Sequence, residues 1–189
     1  MQRDDFGTTN TGTPVHRYTL TNGGLTLRVI TLGGIVTEIL APDHAGNLAD
    51  VTLGYDTLPP YLQRHPYFGA LVGRVAGRIS KAACELDGKT FTLDLNEDGE
   101  ISHLHGGYDG FTQRVWNAEP IDDATLRLTL RSPDGDQGYP GTLDAAVTYR
   151  VTAEGAWVIE YEATADAPTL FNPTQHAYFN LAGHDSGNV

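Results

Sequence analysis

The sequence predicts an all-β fold, an antiparallel sandwich or barrel, from three observations. Apolar residues recur at every second position through several long stretches, turn dipeptides separate those stretches, and a single short segment has a helical signature. Alternation with a period of two puts one face of a strand on a core and the other toward water. Many short strands with turns between them suit a sandwich or barrel.

Asn22-Gly23-Gly24 separates an early strand from a second over residues 25–32, and 35–40 continues the series. Residues 57–64 read as a helix, with Pro59-Pro60 in the first turn, where proline is tolerated. Asp87-Gly88, between Cys84-Glu85-Leu86 and Thr90-Phe91-Thr92-Leu93, is a strong hairpin signal, and a strand candidate runs over 91–95. Another covers 115–118. Leu126, Leu128 and Leu130 alternate with Thr125, Arg127, Thr129 and Arg131. Pro133-Asp134-Gly135 and Pro140-Gly141 mark a loop. Beyond it Leu143, Ala145, Val147, Tyr149 and Val151 form one alternating strand, and Trp157, Ile159, Tyr161 and Ala163 form the next.

Composition bounds the function. With 189 residues, 40% hydrophobic and 19% charged, the chain can build one domain with a real core, spanning residues 1–189. No run approaches the roughly 18 apolar residues of a membrane helix, and the N-terminus, with Asp4 and Asp5 and no apolar run behind them, is not a secretory signal. The single cysteine, Cys84, excludes an intrachain disulfide and makes the cytoplasm the expected location. A net charge of −12 repels nucleic acid and anionic membrane, while neutral, hydrated ligands such as sugars are tolerated.

Four segments depart from plain sheet sequence. Gly73-Arg74-Val75-Ala76-Gly77-Arg78-Ile79 places two arginines four apart in an apolar stretch. Sugar oxygens would satisfy such an arginine; so would a structural carboxylate. His103-Leu104-His105-Gly106-Gly107 would, as a strand, project both histidines to one face. That is a metal-ligand pattern, although a cupin-like site would also want a glutamate a few residues on, where Tyr108 and Asp109 stand. Asp134 to Gly141 is a turn-rich loop without the spacing of a calcium site. In Asn172-Pro173-Thr174-Gln175-His176-Ala177-Tyr178-Phe179-Asn180, an extended backbone lines up His176, Tyr178 and Asn180 as a polar stripe that suits a polyhydroxylated ligand.

In this order, the Gly-Arg-Val-Ala-x-Arg-Ile, Leu-His-Gly-Gly, Asp-Gly-x-x-Gly-Tyr-Pro-Gly and His-x-Tyr-Phe-Asn-Leu-Ala-Gly segments resemble the aldose 1-epimerase (galactose mutarotase) family, and so does Asp50 to Asp56 followed by Tyr61. The match runs from about Tyr18 onward. The resemblance implies a galactose mutarotase-like β-sandwich that interconverts the α and β anomers of free aldohexoses, glucose or galactose, without cofactor or metal. It implies that His176 is the general acid toward the ring oxygen, that His105 is the second active-site histidine, that Arg78 holds sugar hydroxyls, and that Tyr178 contacts the sugar. Arg74 would be support. Histidine suits the task because its ordinary pKa of about 6.5 lets it give and take a proton near neutrality.

Two departures stand out. Gly77 occupies a position in the sugar-binding segment where many relatives have asparagine. Relatives also continue past the last residue here and supply a sugar-binding aspartate and a general-base glutamate, so the expectation is a fragment, incomplete at its C-terminal end, in which loss of the base removes most of the catalysis. A sugar-binding remnant and a cupin-like metal protein using His103, His105 and His176 are the competing classes.

Overall fold

The computed structural model describes residues 1–97 and 101–187. Strands β1 (Gln2–Thr8), β2 (Pro14–Asn22), β3 (Leu25–Ile30), β4 (Val36–Pro42) and β5 (Leu48–Asp50) pair antiparallel in chain order. A one-turn helix α1 (Leu58–Tyr61) leads to β6 (Leu71–Val72), β7 (Arg78–Ser80), the hairpin β8 (Ala83–Leu86) and β9 (Lys89–Thr92), and β10 (Ser102–Leu104). A second meander follows, β11 (Asn117–Pro120), β12 (Thr125–Ser132), β13 (Leu143–Val151) and β14 (Trp157–Ala165), and β15 (Thr174–Gln175) closes on β6.

The two meanders face each other as a sandwich. In β13 the alternation is direct: Leu143, Ala145, Val147, Tyr149 and Val151 are buried while Asp144 and Arg150 are exposed. Leu20, Leu27 and Val29 of the first sheet meet Leu126, Leu128, Val147 and Tyr149 of the second in one core, with Trp116 and Leu71 filling it. Each fully buried aliphatic side chain there contributes about 1.5–3 kcal/mol. Both turn signals hold. Asn22 pairs with Leu25 and Leu86 with Lys89, and Gly23, Gly24, Asp87 and Gly88 all have positive φ, as a tight hairpin turn requires.

Several boundaries differ, and the backbone hydrogen bonds give the reason. The strand expected over 91–95 stops at Thr92, because Leu93 N–H goes to Ala82 O and Asp94 N–H to Gln137 O, two different neighbours rather than one ladder. The helix expected over 57–64 shrinks to Leu58–Tyr61, because Leu62 and Gln63 bond back to Pro59 and Pro60 carbonyls and tighten the turn. The strand expected over 115–118 starts its ladder at Asn117, since Val115 bridges to Leu32. No helix of the described residues is long and apolar enough to cross a membrane.

Candidate functional site

The short strands β6, β7, β10 and β15 carry the site, each pairing antiparallel, β7 with β10 and β6 with β15. β7 and β10 register Arg78 against Leu104 and Ile79 against His103. Immediately after Leu104 the chain leaves the strand, with φ of +53° at His105 and +86° at Gly106. A side chain at Gly106 would meet Gly73 O at 1.7 Å, so only glycine lets this loop close on the arginine segment.

That break corrects the expectation that His103 and His105 share a face. His103 stays on the strand, fully buried, with Nδ1 on the Asp94 carbonyl at 2.7 Å and Nε2 on the Tyr139 hydroxyl at 2.8 Å. A carbonyl only accepts, so Nδ1–H donates and Nε2 accepts the tyrosine proton. Both nitrogens are committed, and neither is turned toward a ligand shared with His105. Among the described residues no group of three or more His, Cys, Asp or Glu is arranged to hold a metal.

His105 points the other way. Its backbone N–H donates to Gly77 O at 3.0 Å, and its Nδ1 accepts from Gly77 N–H at 3.1 Å. A backbone donor at Nδ1 fixes the neutral tautomer with the proton on Nε2. Gly77 therefore acts through its main chain, orienting His105; its φ of +79° is a conformation asparagine also tolerates, with open space around the missing side chain. Burial, then the charges of His176 and Arg78, push the His105 pKa down to about 4, against the opposing pull of Glu97. An unfolded histidine protonates near 6.5. Between that value and about 4 unfolding therefore takes up a proton, so His105 contributes stability at neutral pH that is lost as pH falls through this window. Burial shifts His65 and His103 in the same direction. Urea unfolding is expected to give a lower stability at pH 5 than at pH 7. His105→Gln, whose carbonyl can still accept from Gly77, should flatten that dependence; an unchanged slope would remove His105 from the account.

His176 enters from the opposite side. Its backbone N–H donates to Ala70 O at 2.8 Å and its carbonyl accepts from Gly69 N–H at 3.1 Å, next to the β6–β15 pair. The imidazole lies 5.3 Å from that of His105, rings nearly perpendicular at 85°. Tyr67 touches both, at 4.6 Å from His105 and 5.7 Å from His176. Tyr178 stands 5.1 Å from His176, on the face expected from the sequence, and packs edge-on against Phe68 at 5.2 Å. Asn180 does not complete the stripe. It is buried, its side chain bonds Ser186 and Ala182 N–H, and it shapes its own turn.

The two arginines divide. Arg78 lies exposed at the rim and pairs with Glu97 at 2.5 Å, and Glu97 in turn accepts from the Ser102 hydroxyl. Arg74 is buried and spends its guanidinium on Ser132 Oγ and O, Pro133 O, Pro140 O and Thr169 Oγ1, all within 3.1 Å. It anchors the Asp134–Gly141 loop, whose Gln137 side chain accepts from Asp109 N–H beside the His105 turn. The sequence reading missed Glu97, Tyr67, Phe68 and His65. The signal for the last three was the aromatic density of residues 61–68; for Glu97, in a loop of acids, there was none.

A family profile described as Aldose 1-epimerase matches residues 16–189. The galactose mutarotase of Sus scrofa is 41% identical over 190 aligned residues, covering 100% of this chain and 54% of the relative. The aldose 1-epimerase of Escherichia coli (strain K12) is 36% identical over 176 residues, 93% of this chain and 50% of the relative. Among solved structures, a GalM/aldose epimerase homologue from C. elegans superposes with a TM-score of 0.82 at 34% identity, over 87% of this chain and 50% of that one. A galactose 1-epimerase from Lactobacillus acidophilus NCFM gives a TM-score of 0.82 at 30% identity, over 95% and 53%. The chain spans about half the length of the curated relatives it matches.

Proposed function

The chain belongs to the aldose 1-epimerase family, and from that premise we propose that it binds a free aldohexose, glucose or galactose, and interconverts its α and β anomers without a cofactor, acting as one domain. The observation that carries this reading is the perpendicular pair of imidazoles, His105 and His176, 5.3 Å apart at a rim that also holds Arg78. Ring opening needs a proton delivered to the ring oxygen as its bond to C1 breaks, and a proton taken from the C1 hydroxyl. His176 delivers the first, and solvent water takes the second. His105, neutral with its proton on Nε2, donates a hydrogen bond to the same region without carrying charge. Arg78 holds sugar hydroxyls, and Tyr178 contributes a ring beside His176 for the sugar to lie against. Rotation about the C1–C2 bond of the open aldehyde and the reverse transfers give the other anomer. A cytoplasmic location goes with this reading, since Cys84 has no partner cysteine.

A second reading is binding without turnover, and one observation favours it. Among the described residues the carboxylate at this rim is Glu97, already engaged by Arg78 and Ser102, so the group that would take the C1 hydroxyl proton is not supplied there. Polarimetry separates the two. Fresh α-D-glucose or α-D-galactose is followed to anomeric equilibrium with and without the 189-residue chain. A small acceleration over buffer, the share that the acid supplies without a protein base, is the expected result; a rate equal to buffer overturns turnover by this chain and leaves the binding reading.

A further inference from the structure

Tyr67 takes no part in the anomerisation steps, yet its ring lies against both imidazoles. Its backbone has φ of +62°, the left-handed region that a bulky side chain rarely adopts and keeps only where the surrounding structure enforces it. The enforcing contacts are those of its turn. Ala70 N–H donates to Tyr67 O at 3.1 Å, Val36 N–H donates to Gly69 O at 2.8 Å, and Gly69 N–H and Ala70 O hold the backbone of His176. A side chain at Gly69 would meet Val36 O at 2.0 Å, so the turn sits directly on β4. Tyr67 is thereby tied to the first sheet and to the His176 segment at once, while His105 arrives from the loop after β10.

The Tyr67 ring centre is 4.6 Å from His105, 5.7 Å from His176 and 6.3 Å from His65. These separations are those of interacting rings, about 4.5–7 Å. Tyr67 also packs against the core cluster of Ile30, Leu32, Ile35, Leu58 and Tyr61, and among the described residues its hydroxyl makes no hydrogen bond. The ring, rather than a polar tie, makes the contact with the histidines.

His105 keeps its orientation only while it is neutral. Its Nδ1 accepts from Gly77 N–H at 3.1 Å, and a protonated imidazole has no acceptor, so protonation breaks that bond. Resting on the sugar site proposed above, we infer that Tyr67 is a positioning residue whose ring keeps water from His105 and so holds it in the neutral form that Gly77 orients. The charged and titratable groups facing His105 are His176, Arg78 and Glu97, and none of them leaves when Tyr67 is changed. The Tyr67 phenol, raised by burial against the pull of Arg64, stays neutral in acid. Changing it therefore alters the hydration of His105 and no charge. Readmitted water favours the charged imidazole, so the His105 midpoint must rise.

The test is NMR on the parent chain and two variants, following the His105 ring signals against pH. In the parent, NOEs are expected between the Tyr67 and His105 rings, with a midpoint at about 4. Absent NOEs, or a midpoint at the ordinary value of about 6.5, overturn the inference without any variant. Tyr67→Asn, a residue type that accepts the left-handed φ, is expected to raise the midpoint by about one to two pH units. Tyr67→Phe keeps the ring and should leave the midpoint in place. If Tyr67→Asn does not fold, Tyr67→Gly, also suited to this φ, takes its place with the same expectation. A folded variant whose midpoint stays at the parent value overturns the inference, and so does Tyr67→Phe moving it as far as Tyr67→Asn. Galactose titrations then read the consequence. The ratio of affinity at pH 7 to that at pH 5 should be about two- to tenfold larger in Tyr67→Asn than in the parent, the protonated share of His105 at those midpoints. A parent that gives the expected midpoints and no galactose response overturns the sugar reading and leaves Tyr67 as the residue that keeps His105 neutral.

Discussion

His176→Ala is expected to slow anomer interconversion by about 10²- to 10⁴-fold, the usual worth of a positioned acid or base, with little change in stability. Both halves of this expectation come from how the residue is held. His176 is fixed by its main chain, N–H to Ala70 and carbonyl to Gly69, and the neighbouring Gln175 side chain bonds Gly69 O and Ala177 N–H. Removing the imidazole leaves these bonds in place and takes away ring contacts with Tyr67, His105 and Tyr178 at a partly exposed surface. The cost to folding should stay near about 1 kcal/mol, typical of such a substitution. Polarimetry and a thermal melt on the same preparation decide the point. With a parent rate above buffer, a variant rate within about twofold of the parent would place the proton donor elsewhere.

Arg74→Met should destabilise the protein by about 3–5 kcal/mol, the range seen when one member of a buried charged network is removed. Methionine roughly fills the space, so the loss is in polar groups. Ser132, Pro133 and Pro140 carbonyls and the Thr169 hydroxyl lose their donor together, and an orphaned buried acceptor costs about 1–3 kcal/mol where water cannot reach it. Burial pushes the Arg74 pKa down, while the nearby Asp136 carboxylate pushes it up. Asp136 itself is bound by Arg114 at 2.7 Å and by the Ser132 hydroxyl, so removing Arg74 disturbs a connected set. The guanidinium also lies 5.5 Å from the centre of the Tyr139 ring, whose hydroxyl holds His103. Loosening this loop should reach the His105 turn through Gln137. Lysine, with one ammonium in place of a fork of five donors, should recover only part of the loss. Urea denaturation of the two variants measures it, and a shift under about 1 kcal/mol for Arg74→Met would mean the loop is held by its own turns.

Much of the fold was legible because its signals are local. The alternation from Leu143 to Val151 needs no knowledge of what covers it to be read as a strand with one buried face, and Asp87-Gly88 and Asn22-Gly23 specify their turns by backbone preference alone. The short strands were not legible. β6, β7, β10 and β15 are two or three residues each, too brief for any period to show, and they exist because Leu71, Arg78, Leu104 and Gln175 meet partners far along the chain. The same limit hid Glu97, which is part of the site only because Arg78 and Ser102 fold onto it.

From the sequence alone follow the antiparallel β-fold, the strongly acidic net charge, and the placement of His105, Arg78 and His176 in the motif segments. What each of them is chemically follows from the packing around it. His103 and His105 are two residues apart and have opposite fates, one locked in the core by Asp94 and Tyr139, the other turned outward with its tautomer set by Gly77. Arg74 and Arg78 are four apart, and one is a buried clamp while the other is an exposed rim cation. Residue type and spacing decide which groups are available. Protonation state, orientation and exposure depend on desolvation and on partners tens of residues away, and those are properties of the packed chain.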